Sequence, residues 1–214
     1  MTPALRSSRP MVLAGGTVLL LALGLIALML VRPSPSAGSD SAAAAPSDSS
    51  VDVGFARDMS VHHQQAVEMS FIIRDRTSDE AVRLLAYDII NTQANQRGMM
   101  LGWLDGWGRA KSSAAEPMAW MGHAFTPRGD GSLMPGMATD SELDELRAAK
   151  GKEAEVLFLK LMTVHHRAGA EMAQAAATSA DTELIRNLAA GMVKGQQSEI
   201  ELMADMLEKR GAKA

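Results

Sequence analysis

The chain has 214 residues, of which 47% are apolar and 21% are charged, a size that fits one globular domain with additional segments. Its net charge is −4, so it lacks the basic field of a nucleic-acid-binding protein, and we expect no nucleic-acid partner. It contains sixteen Met and no Cys, which excludes disulfides and thiolate metal sites. Any metal ligands must therefore be His, Met, carboxylate or backbone groups.

The N-terminal segment predicts export. Residues 11–31 form an uncharged run that is long enough for a membrane-spanning helix, which needs about 20 residues. Two Arg precede the run, and the positive-inside tendency places that end in the cytoplasm. We expect residues 1–32 to be a transmembrane anchor or a cleaved signal segment, followed by a flexible linker rich in Ser, Ala and Pro over residues 33–52. The body, residues 53–210, is then extracytoplasmic, at the cell surface or in the periplasm, or secreted after cleavage.

The body contains an internal repeat with a constant offset of 103 residues. The segment Met59–Met69 recurs as Met162–Met172, with the shared pattern Met-x-x-His-His-x-x-x-x-Glu-Met. The register continues without a gap into the segment that follows each motif. We therefore expect two copies of one structural unit.

Each copy is predicted to be a helical hairpin. Apolar residues recur at spacings of three and four, and the alternation typical of strands is absent. The capping-box sequences Thr77–Glu80 and Thr139–Glu142 predict the starts of the second and third helices. Short loops near residues 76–79 and 178–181 make both hairpins antiparallel, so the sequence predicts an all-α four-helix bundle.

An irregular stretch at about residues 106–138, rich in Gly, Pro and Met, connects the two hairpins. It contains Met118, Met121, His123 and the turn Met134–Met137, although this segment has no evident core for thioethers to fill. We expect the loop to fold back over one end of the bundle.

The two His pairs are the strongest candidates for metal ligands. On a helical wheel both imidazoles of each pair share one wide face with the flanking Met residues. A single His on such a face is commonly a core residue, but four buried imidazoles each need a partner, which metal coordination would provide. The predicted ligands are His62, His63, His165, His166, Met59, Met69, Met162 and Met172, with His123, Met121, Met134 and Met137 as candidates for a separate loop site.

The ligand types favour copper. Imidazole suits zinc, copper, nickel or iron, whereas the thioether is a soft ligand that selects Cu(I). In an exported chain, His and Met would replace thiolates, which are prone to oxidation outside the cytosol. We expect Cu(I), with zinc or iron less favoured; the sequence leaves open whether the two pairs form one centre.

These motifs resemble the domain of unknown function 305 family over about residues 52–210. The resemblance rests on the doubled His-His motif, on Gln93 and Gln96 with their counterparts Gln196 and Glu199, and on the Met-Pro-Gly-Met turn. It implies an exported, ferritin-like four-helix bundle, with copper binding as in some members. It also implies that His62, His63, His165 and His166 are the family's His pairs, flanked by Met59, Met69, Met162 and Met172.

Three functions remain open from the sequence. We favour a non-enzymatic protein that sequesters copper or hands it to a copper-transfer partner. A ferritin-like di-metal oxidase or metal store is the second, but its Glu-x-x-His motifs are missing here. The third is a structural or interaction module whose His residues fill the core. The chain lacks a Gly-x-Ser-x-Gly elbow, a Cys nucleophile and a phosphate-binding loop, which argues against a hydrolase.

Overall fold

The structure, a computed structural model, describes residues 44–213. In this range the chain forms five α-helices and no strand. The helices are α1 (Val51–Arg74), α2 (Glu80–Gly106), α3 (Asp140–Ala148), α4 (Gly151–Ser179) and α5 (Glu183–Lys209), and a short 3-10 turn spans Ala119–Met121. The prediction of an all-α chain is confirmed.

The predicted anchor or signal segment at residues 11–31 lies outside the described residues, as does most of the predicted linker. Helix α1 begins at Val51, so the last two residues of the predicted linker are helical. Among the helices between residues 44 and 213, none has the length and apolar character needed to cross a membrane.

The four long helices form two hairpins, α1 with α2 and α4 with α5, and the hairpins pack together mainly through their first helices, α1 and α4. The loops at residues 75–79 and 180–182 lie where the sequence predicted them. Because these loops are short, the helices of each hairpin run antiparallel.

The core consists of two apolar clusters that both receive residues from all four long helices. Cluster 1 includes Ile73, Leu85, Phe158 and Leu207. Cluster 2 includes Phe55, Leu104, Ala176 and Ile185. On each helix the members of one cluster precede those of the other, so the two clusters occupy opposite ends of the helices and leave a middle layer between them.

The start of α2 differs from the predicted capping box at Thr77–Glu80. Asp79 is the N-cap, and its side chain accepts a hydrogen bond from the Val82 backbone N–H at 2.9 Å. The Thr77 hydroxyl instead donates to the buried Glu155 carboxylate at 2.6 Å. Thr77 therefore ties the first hairpin to α4 rather than capping α2.

The capping box at Thr139–Glu142 is confirmed, but it opens the short helix α3 and not the third long helix. The Thr139 hydroxyl accepts from the Glu142 N–H at 3.2 Å, and the Glu142 carboxylate accepts from the Thr139 N–H at 2.8 Å. Extended backbone at Ala149 and Lys150 ends α3, and α4 begins at Gly151, whose φ is +53°. The break separates what the sequence suggested to be one helix.

The connecting loop is anchored on the side of α1. Asp58 accepts hydrogen bonds from the Met118 backbone N–H at 2.7 Å and from Trp120 Nε1 at 2.8 Å. The Trp120 side chain lies against Gly54, where an added Cβ would come within 2.6 Å of it. Only glycine permits this contact. The loop therefore runs along the side of α1, whereas the sequence predicted that it would cover one end of the bundle.

Candidate metal centre

Four imidazoles lie in the middle layer between clusters 1 and 2, and we call them the His layer. His62, His63, His165 and His166 each expose 1% or less of their surface. The rings of His62 and His165 lie with their centroids 3.8 Å apart, and those of His165 and His166 lie 6.1 Å apart. The predicted buried face of each motif is confirmed, and the fold brings the two His pairs together.

The helical register explains the position of this layer. On α1, cluster 2 ends at Met59 and cluster 1 begins at Ala66, so the His pair falls between them. On α4 the pair falls between Met162 of cluster 1 and Met172 of cluster 2. Each pair therefore interrupts the apolar stripe of its helix at the same height in the bundle.

Three of the four imidazoles donate a hydrogen bond from Nε2 to an oxygen acceptor. His63 Nε2 donates to Gln96 Oε1 at 2.8 Å, and His165 Nε2 donates to the His62 backbone carbonyl at 3.0 Å. His166 Nε2 donates to Glu199 Oε2 at 2.7 Å.

These acceptors determine the tautomers. A neutral imidazole that donates through one nitrogen keeps a lone pair on the other nitrogen. The nitrogens that are buried without a hydrogen-bond partner among the described residues are His62 Nε2, His63 Nδ1, His165 Nδ1 and His166 Nδ1. The layer thus holds four ring nitrogens without partners, each of which can act as a Lewis base when it carries a lone pair.

The environment keeps the rings of His62, His63 and His165 neutral. Burial, strengthened by the neighbouring imidazoles, lowers the pKa of His62 to about 3, and burial lowers that of His63 to about 4. The same two causes hold the pKa of His165 well below its ordinary value. The hydrogen bond to Gln96 partly opposes the shift at His63. Because neutral imidazole is the form that binds metal, protons do not compete for the nitrogens of these three rings near neutral pH.

Four thioethers flank the His layer. Met59 and Met172 belong to cluster 2, whereas Met69 and Met162 belong to cluster 1, and all four are buried. Each side of the layer therefore has one motif Met from each copy of the repeat. Met59 precedes His62 and His63 by three and four residues, the spacing of neighbours on one helix face.

The described His, Asp and Glu side chains alone do not form a complete metal site. Within residues 44–213, no group of three His, Asp or Glu side chains is placed to hold a metal ion. A metal ion in the His layer must therefore take part of its ligands from thioethers or from side chains that rotate.

Two buried amides lie at the same height and were not among the predicted site residues. Gln93 and Gln196 expose 3% and 5% of their surface, and the Nε2 atom of each has no hydrogen-bond partner among the described residues. The two residues are related by the repeat offset. Their recurrence on otherwise apolar stripes was the sequence signal that could have identified them. The same holds for Gln96 and Glu199; all four residues entered the sequence analysis as part of the family resemblance and not as site residues.

The predicted loop ligands separate into buried and exposed residues. Met118 and Met134 are buried in cluster 2, so the expectation that loop thioethers have no core to fill is wrong for them. Met121 and Met137 are half-buried and pack against the same cluster, whereas His123 is exposed. The structure therefore does not bring His123 into the His layer.

The Met134–Met137 turn covers the His layer from the side of α4. At Gly136, whose φ is +79°, an added Cβ would lie 2.4 Å from the Ala168 Cβ and 3.4 Å from the His165 Cα. Gln65 fixes the end of the turn, because its side chain accepts from the Ala138 N–H at 2.7 Å and donates to the Ala138 carbonyl at 2.9 Å. The loop thus reaches the middle of the bundle, further than the sequence predicted.

Comparisons with known proteins identify the family. The family model described as Domain of unknown function (DUF305) matches residues 52–207. A DUF305 protein of Streptomyces coelicolor, predicted to be secreted, has a crystal structure with a TM-score of 0.73 at 57% identity, covering 78% of this chain and 98% of that one. A DUF305 fragment from Deinococcus radiodurans gives a TM-score of 0.63 at 28% identity, covering 74% of this chain and 96% of that one.

A more distant structural neighbour is a copper-bound protein. CopM in its Cu(I)-bound form gives a TM-score of 0.57 at 22% identity, covering 74% of this chain and 96% of that one, a likeness that shows the fold. CopM structures with Cu(II) and with Ag match as well. Among proteins with curated descriptions, none matches this chain. The family match over most of the length establishes that the chain belongs to the DUF305 family.

Proposed function

We propose that this DUF305 protein is an extracytoplasmic copper-binding protein that sequesters Cu(I) or hands it to a copper-transfer partner, without an enzymatic activity of its own. The proposed ligands come from the His layer and from the motif thioethers Met59, Met69, Met162 and Met172. The observation that carries the proposal is the set of four buried ring nitrogens without hydrogen-bond partners among the described residues.

The cost of these nitrogens favours a ligand. A buried polar atom without a partner costs about 1–3 kcal/mol, and the His layer contains four such atoms. A metal ion would offset this cost by accepting their lone pairs. A purely structural role explains the nitrogen of each ring that donates a hydrogen bond, but it leaves the other nitrogen unexplained.

The surroundings of the layer favour copper over zinc or iron. Thioethers lie on both sides of the imidazoles, and soft sulfur ligands together with imidazole suit Cu(I). Glu199 is the carboxylate that contacts a ring of the layer, whereas di-iron sites use several Glu residues. The Cu(I), Cu(II) and Ag forms of CopM, a structural neighbour, support the same choice.

The ferritin-like di-metal oxidase is the weaker alternative. At the repeat position where Glu199 contacts His166, the first copy has the neutral Gln96. With a single carboxylate at the layer, the described part of the chain offers too few oxygen ligands for a di-metal carboxylate site.

We also infer the compartment and the architecture. The predicted secretion of the Streptomyces coelicolor relative supports an extracytoplasmic body. Membrane attachment through residues 11–31 remains a prediction from the sequence. The two hairpins, packed through α1 and α4, support a ferritin-like four-helix bundle as the frame of the His layer.

A competition titration with a chromophoric Cu(I) chelator tests the proposal on the full chain. Changing His62, His63, His165 and His166 to Ala should abolish tight Cu(I) binding. The matched control is Gln64→Ala with Arg167→Ala, since both residues are exposed, follow the His pairs directly and are related by the repeat. Equal Cu(I) stoichiometry and affinity in the His variant and the control would contradict the proposal.

The loop is tested separately. Met121 and His123 are changed to Ala while the His layer is left intact. A drop of one Cu(I) per chain would assign a second site to the loop, and an unchanged stoichiometry would restrict binding to the bundle.

A further inference from the structure

The repeat produces the same hydrogen bond twice, with acceptors of different charge. His63 and Gln96 are related by the offset of 103 residues to His166 and Glu199. In the first half a neutral amide oxygen accepts from the ring at 2.8 Å, and in the second half a carboxylate oxygen accepts at 2.7 Å. The two halves of the His layer are therefore alike in geometry but not in electrostatics.

The Glu199 carboxylate acts mainly on the His166 ring. Its side chain is 23% exposed, and among the described residues His166 is the one basic group within ion-pair distance of its carboxylate. The His166 side chain itself is fully buried. In such surroundings the carboxylate polarises the ring strongly, which increases the electron density on the opposite nitrogen. That nitrogen, His166 Nδ1, is one of the four ring nitrogens of the layer without a hydrogen-bond partner among the described residues.

A second difference lies in the same half. At Gly169 in α4, an added Cβ would come within 2.5 Å of Gln196 Oε1, so the amide oxygen approaches α4 more closely than Ala would permit. The equivalent residue of α1 is Ala66. The second half thus differs from the first in packing as well as in charge.

We infer that the two halves of the His layer bind metal unequally, and that the half with His166 and Glu199 takes up a soft monovalent cation before the half with His63 and Gln96. Glu199 acts as a positioning residue, because it fixes the His166 tautomer and raises its basicity without contacting the ion. This inference rests on the proposed function and deepens it.

The order of binding can be followed with Ag(I), a redox-inert probe, by NMR of the imidazole resonances of the full chain. Below one equivalent of Ag(I), the His166 signals should shift first and the His63 signals later. Glu199→Gln should lower the affinity for the first ion by about 10–100-fold, the usual effect of losing such a partner of a ligating His.

The charge swap is the sharper test. The double variant Q96E/E199Q keeps the composition and net charge of the chain and moves the carboxylate to the other half. It should reverse the order, so that His63 responds before His166. Parallel shifts of both rings in the unmodified chain, or an unchanged order in the folded double variant, would overturn this inference alone. If the chain binds neither Ag(I) nor Cu(I), both this inference and the proposed function are contradicted.

Discussion

At the scale of single residues, the His layer contains polar groups that the fold forces to stay uncharged, His62 and His63 among them. His62 and His63 are surrounded by apolar clusters and by other imidazoles, so protonating them requires placing a charge in a buried environment. Their neutral state is thus a consequence of packing, and it makes both metal binding and stability depend on pH.

The first prediction concerns the stability of the metal-free chain at acidic pH. The pKa of His62 is about 3 and that of His63 about 4 in the folded chain, below the ordinary value of 6.5. Between these values the unfolded chain binds more protons than the folded one, so the free energy of unfolding must fall as the pH drops below about 6.5. The expected slope is up to about 1.4 kcal/mol per pH unit for each of these residues.

Urea unfolding at pH 7 and pH 5, with a chelator present, measures this slope. Replacing His62 and His63 by Gln should reduce it, whereas replacing the exposed His123 should leave it unchanged. A slope that is equal in all three proteins would show that these rings do not titrate as their burial requires.

The second prediction concerns Asp58, which holds the loop to α1. Asp58→Ala removes the acceptor of the Met118 N–H and of Trp120 Nε1. Leaving these donors unsatisfied should lower the free energy of unfolding by about 2 kcal/mol, measured by chemical denaturation. The control is Asp88→Ala at an exposed position of α2, which should change stability by less than about 0.5 kcal/mol. Similar losses in both variants would mean that the loop contact contributes nothing.

At the scale of elements, the helices were predictable and the loop path was not. Apolar spacing predicted the long helices, because each buries one stripe against its neighbours. The break between α3 and α4 combines extended backbone at Ala149 and Lys150 with Gly151 at φ +53°. A single Gly inside a helical pattern is tolerated, so the sequence alone did not indicate the break. Likewise, the engagement of Thr77 by Glu155 is a contact between distant segments, which local capping patterns do not contain.

The third prediction tests the turn over the His layer. Gly136→Ala introduces a side chain at positive φ and places its Cβ against Ala168, so we expect a loss of about 2–4 kcal/mol in the free energy of unfolding. The matched control is Gly98→Ala, where an added Cβ meets no atom within 4 Å. Because residue 98 lies inside a helix, Gly98→Ala should raise the free energy of unfolding by about 0.5–1 kcal/mol. Thermal unfolding of both variants measures these changes. A Gly136→Ala variant as stable as the unmodified chain would contradict the close contact at Gly136.

At the scale of the whole molecule, the duplication provides the candidate site. The repeat in the sequence predicted two equivalent hairpins, and the helical wheel predicted which face of each would carry the His pair. The wheel cannot say which helices adjoin, so the contact of His165 with the His62 carbonyl was not predictable. The buried amides Gln93 and Gln196 lie on the predicted apolar stripes and recur at the repeat offset, but they were not predicted as site residues, because the stripe alone does not show what their amides face.

The fourth prediction links metal binding to the stability of the whole bundle. An ion that binds only the folded chain stabilises it by mass action, by about 2.7 kcal/mol when free Cu(I) is 100 times its dissociation constant. Anaerobic thermal unfolding of the full chain should show a higher melting temperature with excess Cu(I). The variant without the four layer imidazoles should show no such increase, and an equal increase in both would place the binding elsewhere.

The most direct test of the central claim is an anomalous difference map at the copper absorption edge, from crystals of the full chain loaded with Cu(I). We predict that the strongest peak lies in the His layer between clusters 1 and 2, within bonding distance of at least two of the four free ring nitrogens. Copper found only at surface positions such as His123, with no peak in the His layer, would contradict the account.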